Sequence, residues 1–188
     1  MDFTEALRKL IRRGEGSIPY MYLDTNGYVT VGVGHMMRTV AAAQALPFER
    51  RADHAPATAD EITAEYTKIA ALPFGQSHDA ESFEPYTTLE LTSEEIDSLL
   101  DRRIAEFETG LRQDFVGFDN FPDRVRLGLM DMAFNLGNNG LVTKFPGFTA
   151  AARAQDWSKC AAECHRKGIR ESRNKEVREL FEEPDLPI

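Results

Sequence analysis

One short segment of the chain alternates apolar and polar residues, and this pattern limits the folds available to it. Val29, Val31 and Val33 fall on one side of an extended chain, and Tyr28 and Thr30 fall on the other. A period of two residues is typical of a half-buried antiparallel strand. Because residues 20–34 hold the only convincing pattern of this kind, the sequence predicts one small β-hairpin in a chain that is otherwise helical.

The remaining apolar residues recur mostly at helical spacing. Residues 3–13 predict an amphipathic helix that ends at Gly14, and the segment "DRVRLGLMDMAFNLG" predicts a buried central helix that "GNNG" terminates. Two capping boxes predict further helix starts, at Thr58–Glu61 and at Thr92–Glu95. Shorter helices are predicted around residues 147–154, 156–167 and 173–181. The fold class that follows is α+β and mostly helical.

Composition excludes some partners and constrains others. The 188-residue chain carries a net charge of −9, which repels a phosphate backbone and argues against nucleic acid. The same charge opposes long-range attraction to an acidic cell-wall polymer. No apolar run is long enough to span a membrane, and the N-terminus lacks the pattern of a signal peptide. We therefore expect synthesis in the cytoplasm, with another agent carrying the protein to any site of action outside it.

Two cysteines, Cys160 and Cys164, lie four residues apart on a predicted helix. That spacing holds the two Cβ atoms farther apart than a disulfide prefers. We therefore expect two reduced, partly buried thiols, with a strained disulfide or a soft-metal site as the alternatives. Only His165 lies nearby as a further ligand, so the sequence predicts no metal site.

Two carboxylates flank the start of the hairpin. If the first helix persists beyond Gly14, Glu15 continues the apolar stripe of Leu7 and Ile11. An inward-facing carboxyl group loses hydration, which favours the protonated form that a general acid needs. The alternative is a surface glutamate beside a helix end, or one paired with an arginine.

The second carboxylate, Asp24, depends on the geometry of the turn. A three-residue loop with Gly27 in the left-handed conformation sets Asp24 opposite Tyr28, and it groups Tyr22, Asp24, Tyr28 and Thr30 on one polar face. The alternative, a two-residue Asn-Gly turn, would set Asp24 opposite Val29 on the apolar face. The three-residue loop is favoured because it buries valines and not a carboxylate. Asp24 is then either a residue that caps its own loop or a partner of Glu15 in catalysis.

Together, the two carboxylates suit the hydrolysis of a glycosidic bond, which uses one acid and one base or charge stabiliser. Thr30 adds a hydroxyl group that can hold a water molecule. His35, which follows "GVG", is interpreted as a capping or hydrogen-bonding residue, with a general base as the less favoured alternative.

These residues resemble the phage-type lysozymes of glycoside hydrolase family 24. The resemblance is carried by Glu15-Gly16, Tyr22, Asp24-Thr25, Gly27-Tyr28, Thr30, Gly32, Gly34 and His35. The segments "LTSEEIDSLLDRRI" and "MAFNLGNNGL" support it, and residues 38–88 have no clear counterpart. The resemblance implies a single lysozyme-like, two-lobed domain: an N-terminal helix (1–13), a small lobe with the hairpin and a helical insertion (14–90), a linking helix (91–112) and a helical lobe (113–188).

The same resemblance implies a peptidoglycan muramidase that cleaves the β-1,4 bond between N-acetylmuramic acid and N-acetylglucosamine without a cofactor. Glu15 would be the general acid, Asp24 the second carboxylate and Thr30 the residue that helps to position water. The substrate-binding residues would be Tyr22, His35, Phe134 and Asn135. Arg173 would support the glutamate, although Arg170 and Arg178 are alternatives.

The sequence is compatible with several settings and functions. The chain would act in the periplasm or on the cell wall, as a phage endolysin or as an injected antibacterial effector with a dedicated inhibitor protein as partner. A non-catalytic peptidoglycan-binding or inhibitor-binding module is one alternative function, and a lytic transglycosylase is another. Residues 38–88 could cover the cleft, select a peptidoglycan type, bind a partner, or simply elaborate the small lobe in contact with solvent.

Overall fold

A computed structural model describes residues 2–188 and confirms an α+β fold that is mostly helical. The chain forms two compact units. The first, here called the hairpin unit, is Glu15–Asp101. The second, here called the helical unit, comprises residues 2–14 and Arg102–Ile188.

The hairpin unit begins with a three-stranded antiparallel sheet of β1 (Ile18–Leu23), β2 (Val29–Gly32) and β3 (His35–Met36), in that order. The predicted valine face is confirmed, because Val29, Val31 and Val33 are all at most 5% exposed. Strand β1 carries an irregularity between Ile18 and Tyr22, where its register against β2 shifts.

The rest of the hairpin unit is built from short elements. They are α2 (Val40–Gln44), β4 (Glu49–Arg50), α3 (Ala59–Ala70), a 3-10 helix (Ala80–Tyr86) and β5 (Leu89–Glu90). The prediction that the hairpin is the only β-structure was wrong, because β4 and β5 pair as a second antiparallel sheet. The predicted capping box is confirmed, with the Thr58 and Glu61 side chains each accepting from the other residue's backbone N–H.

The segment without a clear counterpart, residues 38–88, is part of the core of the hairpin unit. Helix α3 packs against β1 and β2, and the 3-10 helix packs against β1. The buried apolar side chains of this segment include Phe48, Ile62, Ile69 and Phe83. The segment therefore does more than elaborate the surface, since the hairpin sheet buries one side against it.

The helical unit contains α1 (Phe3–Glu15, of which Glu15 belongs to the hairpin unit), the second half of α4 (Ser93–Asp114), a 3-10 helix (Phe118–Asn120), α5 (Asp123–Leu136), α6 (Asn138–Lys144), α7 (Pro146–Arg153), α8 (Trp157–Glu163) and α9 (Glu171–Glu182). Helix α1 runs two residues beyond its predicted end, and Gly16, with φ +82°, follows it. Helix α6 was not predicted: "GNNG" contributes only Gly137 to the helix stop, and the next three residues begin a new helix.

Helix α5 is the core of the helical unit, as its apolar sequence predicts. Nine of the residues of α5 between Val125 and Phe134 are buried. Its contact with α9 is close at Gly128, where an added Cβ would lie 2.6 Å from Cζ of Phe181. Among residues 2–188, no helix is both long enough and apolar enough to cross a membrane.

Candidate functional site

The hairpin turn adopts the predicted three-residue loop. Tyr22 pairs with Thr30 and Leu23 with Val29, so that Asp24 lies opposite Tyr28. The Asp24 N–H donates to the Tyr28 carbonyl over 3.0 Å, and the Gly27 N–H donates to the Asp24 carbonyl over 3.0 Å. Gly27 has φ +82°, a conformation that glycine adopts without a steric penalty. The predicted register and the left-handed Gly27 are therefore confirmed.

The two oxygens of the Asp24 carboxylate have different surroundings. Oδ1 accepts hydrogen bonds from the N–H groups of Asn26 and Tyr28, each over 2.9 Å. These bonds confirm that Asp24 caps its own loop. Oδ2 makes no hydrogen bond within the part of the chain that the structure describes. Asp24 is half-buried. The two hydrogen bonds to Oδ1 fix the orientation of the carboxylate, and Oδ2 is left to accept a proton or a hydrogen bond from water.

Thr30, the second residue of β2, lies on the same side of the sheet as Asp24. Its hydroxyl group donates to the Tyr28 carbonyl over 2.9 Å, and the residue is only 3% exposed. Because the hydrogen atom is used in that bond, the lone pairs of Oγ1 remain as acceptors. Tyr28 itself is exposed, and the Arg38 guanidinium lies 5.1 Å from the centroid of its ring.

Glu15 does not have the buried setting that its place in the helical pattern predicts. It is the last residue of α1 and is exposed. The buried stripe of the helix ends at Ile11, and no further helical turn follows Glu15, because the chain turns at Gly16. The expectation of an inward-facing carboxyl group was therefore wrong. Glu15 nevertheless belongs to the same unit as Asp24 and Thr30 and lies three residues before the start of β1.

The predicted substrate-binding residues divide between the two units. In the hairpin unit, Tyr22 is half-buried in β1, and half-buried His35 begins β3, where it pairs with Val31. In the helical unit, Asn135 is half-buried near the end of α5. Phe134 is only 7% exposed and stacks on Phe107 with ring centroids 4.5 Å apart, so packing occupies most of its ring.

Arg173 belongs to a buried charge cluster that the sequence did not predict. Asp131, on α5, is fully buried, and its carboxylate contacts Arg166 Nη2 at 2.7 Å and Arg173 Nη2 at 2.9 Å. The two arginine side chains are only 2% and 10% exposed, respectively. One signal was available, because an aspartate inside an apolar helix needs a charged or hydrogen-bonding partner. These three residues are referred to below as the buried ion cluster.

The two cysteines are buried free thiols, as predicted. Burial raises the pKa of Cys160 to about 12, and the nearby Asp156 acts in the same direction. Burial also raises the pKa of Cys164. Over residues 2–188, no three histidine, cysteine, aspartate or glutamate side chains are grouped so that they could hold a metal ion.

Comparison with known proteins adds no family to this picture. No protein-family model matches the chain, and no curated protein sequence matches it. The chemistry of the hairpin unit therefore rests on its own residues. Asp24 is a carboxylate held by two backbone N–H groups with one oxygen open, Thr30 is a buried hydroxyl on the same face, and Glu15 is an exposed carboxyl group close by in sequence.

Proposed function

We propose that this protein is a peptidoglycan muramidase that hydrolyses the β-1,4 bond between N-acetylmuramic acid and N-acetylglucosamine. The observation that carries the proposal is the half-fixed Asp24 carboxylate, with Oδ1 bound by two backbone N–H groups and Oδ2 open. A base or charge stabiliser in glycoside hydrolysis needs this combination of fixed direction and a free oxygen. The motif that includes Glu15 and Thr30 gives the substrate class through its resemblance to phage-type lysozymes.

In this mechanism Glu15 is the general acid. Cleavage of a glycosidic bond requires a proton on the leaving oxygen, and a carboxyl group supplies it. Glu15 is exposed at the end of α1, so a long polysaccharide can approach it without unfolding the helix. Contact with the bound glycan would remove water from this carboxyl group.

Asp24 and Thr30 act on the opposite reactant, the water molecule. Asp24 Oδ2 accepts a proton from the water as it attacks the anomeric carbon, while the two N–H groups on Oδ1 hold the carboxylate in place. Thr30 Oγ1 donates to the Tyr28 carbonyl and so offers a lone pair to the same water. This division of roles corresponds to inversion of configuration, which requires room for a water between the two carboxyl groups.

The partner in this proposal is bacterial peptidoglycan, and the place of action is the periplasm or the cell wall. A phage endolysin and an injected antibacterial effector both fit, and the second would be accompanied by a dedicated inhibitor protein. With a net charge of −9, the protein would bind the wall by local contacts with the glycan and not by long-range attraction.

The test is the lysis of purified peptidoglycan, followed as loss of turbidity, by the wild type and by Glu15→Gln and Asp24→Asn. We expect each substitution to reduce the rate by about 100-fold or more, in the range that general acid–base groups contribute. Asp79→Asn is the matched control, because Asp79 in the same unit also caps a turn, accepting from the Ser82 N–H over 3.0 Å, but lies outside the hairpin. Its rate should equal that of the wild type.

Three results would overturn the proposal in different ways. Undiminished lysis by Glu15→Gln would exclude the acid role. Anhydro-sugar ends in the fragments, detected by mass spectrometry, would instead identify a lytic transglycosylase. Binding of the folded wild type to peptidoglycan without any cleavage would identify a non-catalytic module.

A further inference from the structure

The fully buried Asp131 has no place in the proposed chemistry, yet its contacts lead to the peptide group of the proposed acid. We infer that Asp131 is a positioning residue: through Arg173 it fixes the peptide group that joins Gly14 to Glu15. The expected effect on the rate of peptidoglycan lysis rests on the proposed function, whereas the fixed position of this peptide group does not.

Each edge of the Arg173 guanidinium has a separate partner. Nε and Nη2 face the Asp131 carboxylate, with Nε 2.9 Å and Nη2 2.9 Å from Oδ2. Nη1 donates to the carbonyl oxygen of Gly14 over 3.1 Å. A planar guanidinium held along one edge by a carboxylate has a fixed direction for its remaining N–H groups. Asp131 therefore sets where Arg173 can bind Gly14.

The bond to Gly14 is also a close approach. A Cβ added at Gly14 would lie 2.5 Å from Cζ of Arg173 and 2.7 Å from its Nη2. Glycine at position 14 thus leaves the space into which the guanidinium fits. The carbonyl that receives the hydrogen bond belongs to the planar peptide unit whose nitrogen is that of Glu15, so the direction of this plane determines how the Glu15 backbone begins.

Arg166 provides a control within the same cluster. It contacts the same carboxylate, with Nη2 2.7 Å from Asp131 Oδ1, and its Nη1 donates to the Asp131 carbonyl over 3.3 Å. Its backbone is held by Asn174, which accepts from the Arg166 N–H and donates to the Arg166 carbonyl. Arg166 and Gly14 share no hydrogen bond within residues 2–188. Loss of Arg166 therefore disturbs the buried charges without removing the bond to the Gly14 carbonyl.

The experiment compares Asp131→Asn, Arg173→Gln and Gly14→Ala with Arg166→Gln in the full chain. Gly14→Ala alters no charge, but its Cβ displaces the guanidinium. All four variants are compared under conditions in which thermal unfolding shows them to be folded. We expect the first three to lower kcat for peptidoglycan lysis by about tenfold or more, with KM within about twofold, because a small misplacement of a reacting group is costly. Arg166→Gln should retain the wild-type kcat.

A second measurement does not depend on catalysis. We expect the NMR resonances of the Glu15 backbone amide and side-chain carboxyl group to shift in Asp131→Asn and Arg173→Gln and to stay in place in Arg166→Gln. The Arg173→Ala variant adds a rescue test. Arg173 lines an open cavity of about 270 Å³, so added guanidinium ion should partly restore the Glu15 resonances and the lysis rate.

The outcomes separate the two proposals. Glu15 resonances that shift equally in Arg166→Gln and Asp131→Asn would overturn the positioning role, because any loss of buried charge would then have the same effect. Unmoved Glu15 resonances in both would overturn it as well. A third outcome is that the Glu15 resonances shift in Asp131→Asn but not in Arg166→Gln, while the wild type releases no peptidoglycan fragments. This outcome would support the link from Asp131 to Glu15 and refute the proposed function.

Discussion

Asp24 and Tyr28 face each other across the hairpin turn and exchange two hydrogen bonds, one from the Asp24 N–H to the Tyr28 carbonyl and one from the Tyr28 N–H to Asp24 Oδ1. This pair fixes both the register of the strands and the direction of the carboxylate. Any change that shifts the register by one residue would move Asp24 to the face of the buried valines. The turn is therefore part of the site, although only Asp24 within it carries a reactive group.

Replacing Gly27 with valine should lower both stability and activity. Gly27 has φ +82°, and a Cβ there would lie 2.8 Å from Cζ of Phe74. A β-branched residue in the left-handed region costs about 1–3 kcal/mol, and relief of that strain would turn Asp24 out of position. Urea unfolding measures the first effect, and the rate of peptidoglycan lysis measures the second.

The matched variant Gly27→Asn separates the strain of the left-handed backbone angle from the collision with the Phe74 ring. Asparagine tolerates the left-handed conformation, but its Cβ meets the same Phe74 ring. A large difference between Val and Asn would assign the effect to the backbone angle, and recovery of either variant by Phe74→Ala would assign it to the ring. A fully active and equally stable Gly27→Val protein would contradict this account of the turn.

The hairpin was predictable because its information is local. The alternation of Val29, Val31 and Val33 with polar residues and the glycine in the turn all fall within one short segment, and they agree with one another. Glu15 was harder. Its spacing from Leu7 and Ile11 was read correctly as helical, but spacing does not show that the buried stripe ends before the last turn of the helix.

Long-range contacts account for most of what the sequence did not reveal. Strands β4 and β5 have two residues each, which is too short for any periodic pattern. The buried ion cluster brings Asp131 together with residues 35 and 42 positions later in the chain. The apolar surroundings of Asp131 require a partner, yet the choice between Arg166, Arg170, Arg173 and Arg178 depends on how α5 and α9 pack.

Two helical glycines, Gly128 at the contact between α5 and α9 and Gly140 in α6, are expected to respond in opposite ways to substitution by alanine. In Gly128→Ala the new Cβ would lie 2.6 Å from Phe181 Cζ, and that buried ring is held against Phe148 at 5.3 Å between centroids. We expect overpacking of about 1–3 kcal/mol to outweigh the helix-propensity gain. In Gly140→Ala the nearest side-chain atom would be 3.6 Å away, so we expect a stabilisation of roughly 0.5–1 kcal/mol. Urea unfolding of both variants tests the sign, and destabilisation by Gly140→Ala alone would refute the packing argument.

Cys160 and Cys164 should be unreactive while the protein is folded. Burial raises the pKa of both thiols, that of Cys160 to about 12, and only a thiolate reacts readily with a disulfide reagent. At mildly alkaline pH we therefore expect no labelling of the native protein and labelling of both thiols in urea. Ser158→Cys, on the exposed side of the same helix, should add one fast-reacting thiol. Rapid labelling of the native wild type would contradict the buried placement.

Glu65 on α3 predicts a component of stability that decreases as the pH rises. The side chain is 5% exposed, and its Oε2 accepts from the Thr88 N–H over 2.6 Å and the Thr88 hydroxyl over 2.8 Å. Burial raises the pKa of Glu65 above the ordinary value of 4.5, and the hydrogen bonds from Thr88 and Leu89 only partly oppose this. A raised folded-state pKa means that the folded protein holds the proton more tightly than the unfolded chain does. The resulting stability is therefore complete below the unfolded-state pKa and is lost as the pH rises through the folded-state pKa.

The measurement is the free energy of unfolding of the wild type minus that of Glu65→Gln, followed from below pH 4.5 to neutrality. We expect this difference to fall as the pH rises, because glutamine does not titrate. Glu61, on the same helix, supplies a control of opposite sign, since hydrogen bonds from the Thr58 N–H and hydroxyl lower its pKa. The difference between the wild type and Glu61→Gln should therefore increase with pH over the same range. If the two differences changed in the same direction, the folded-state pKa of Glu65 would not be raised by its burial beneath β5.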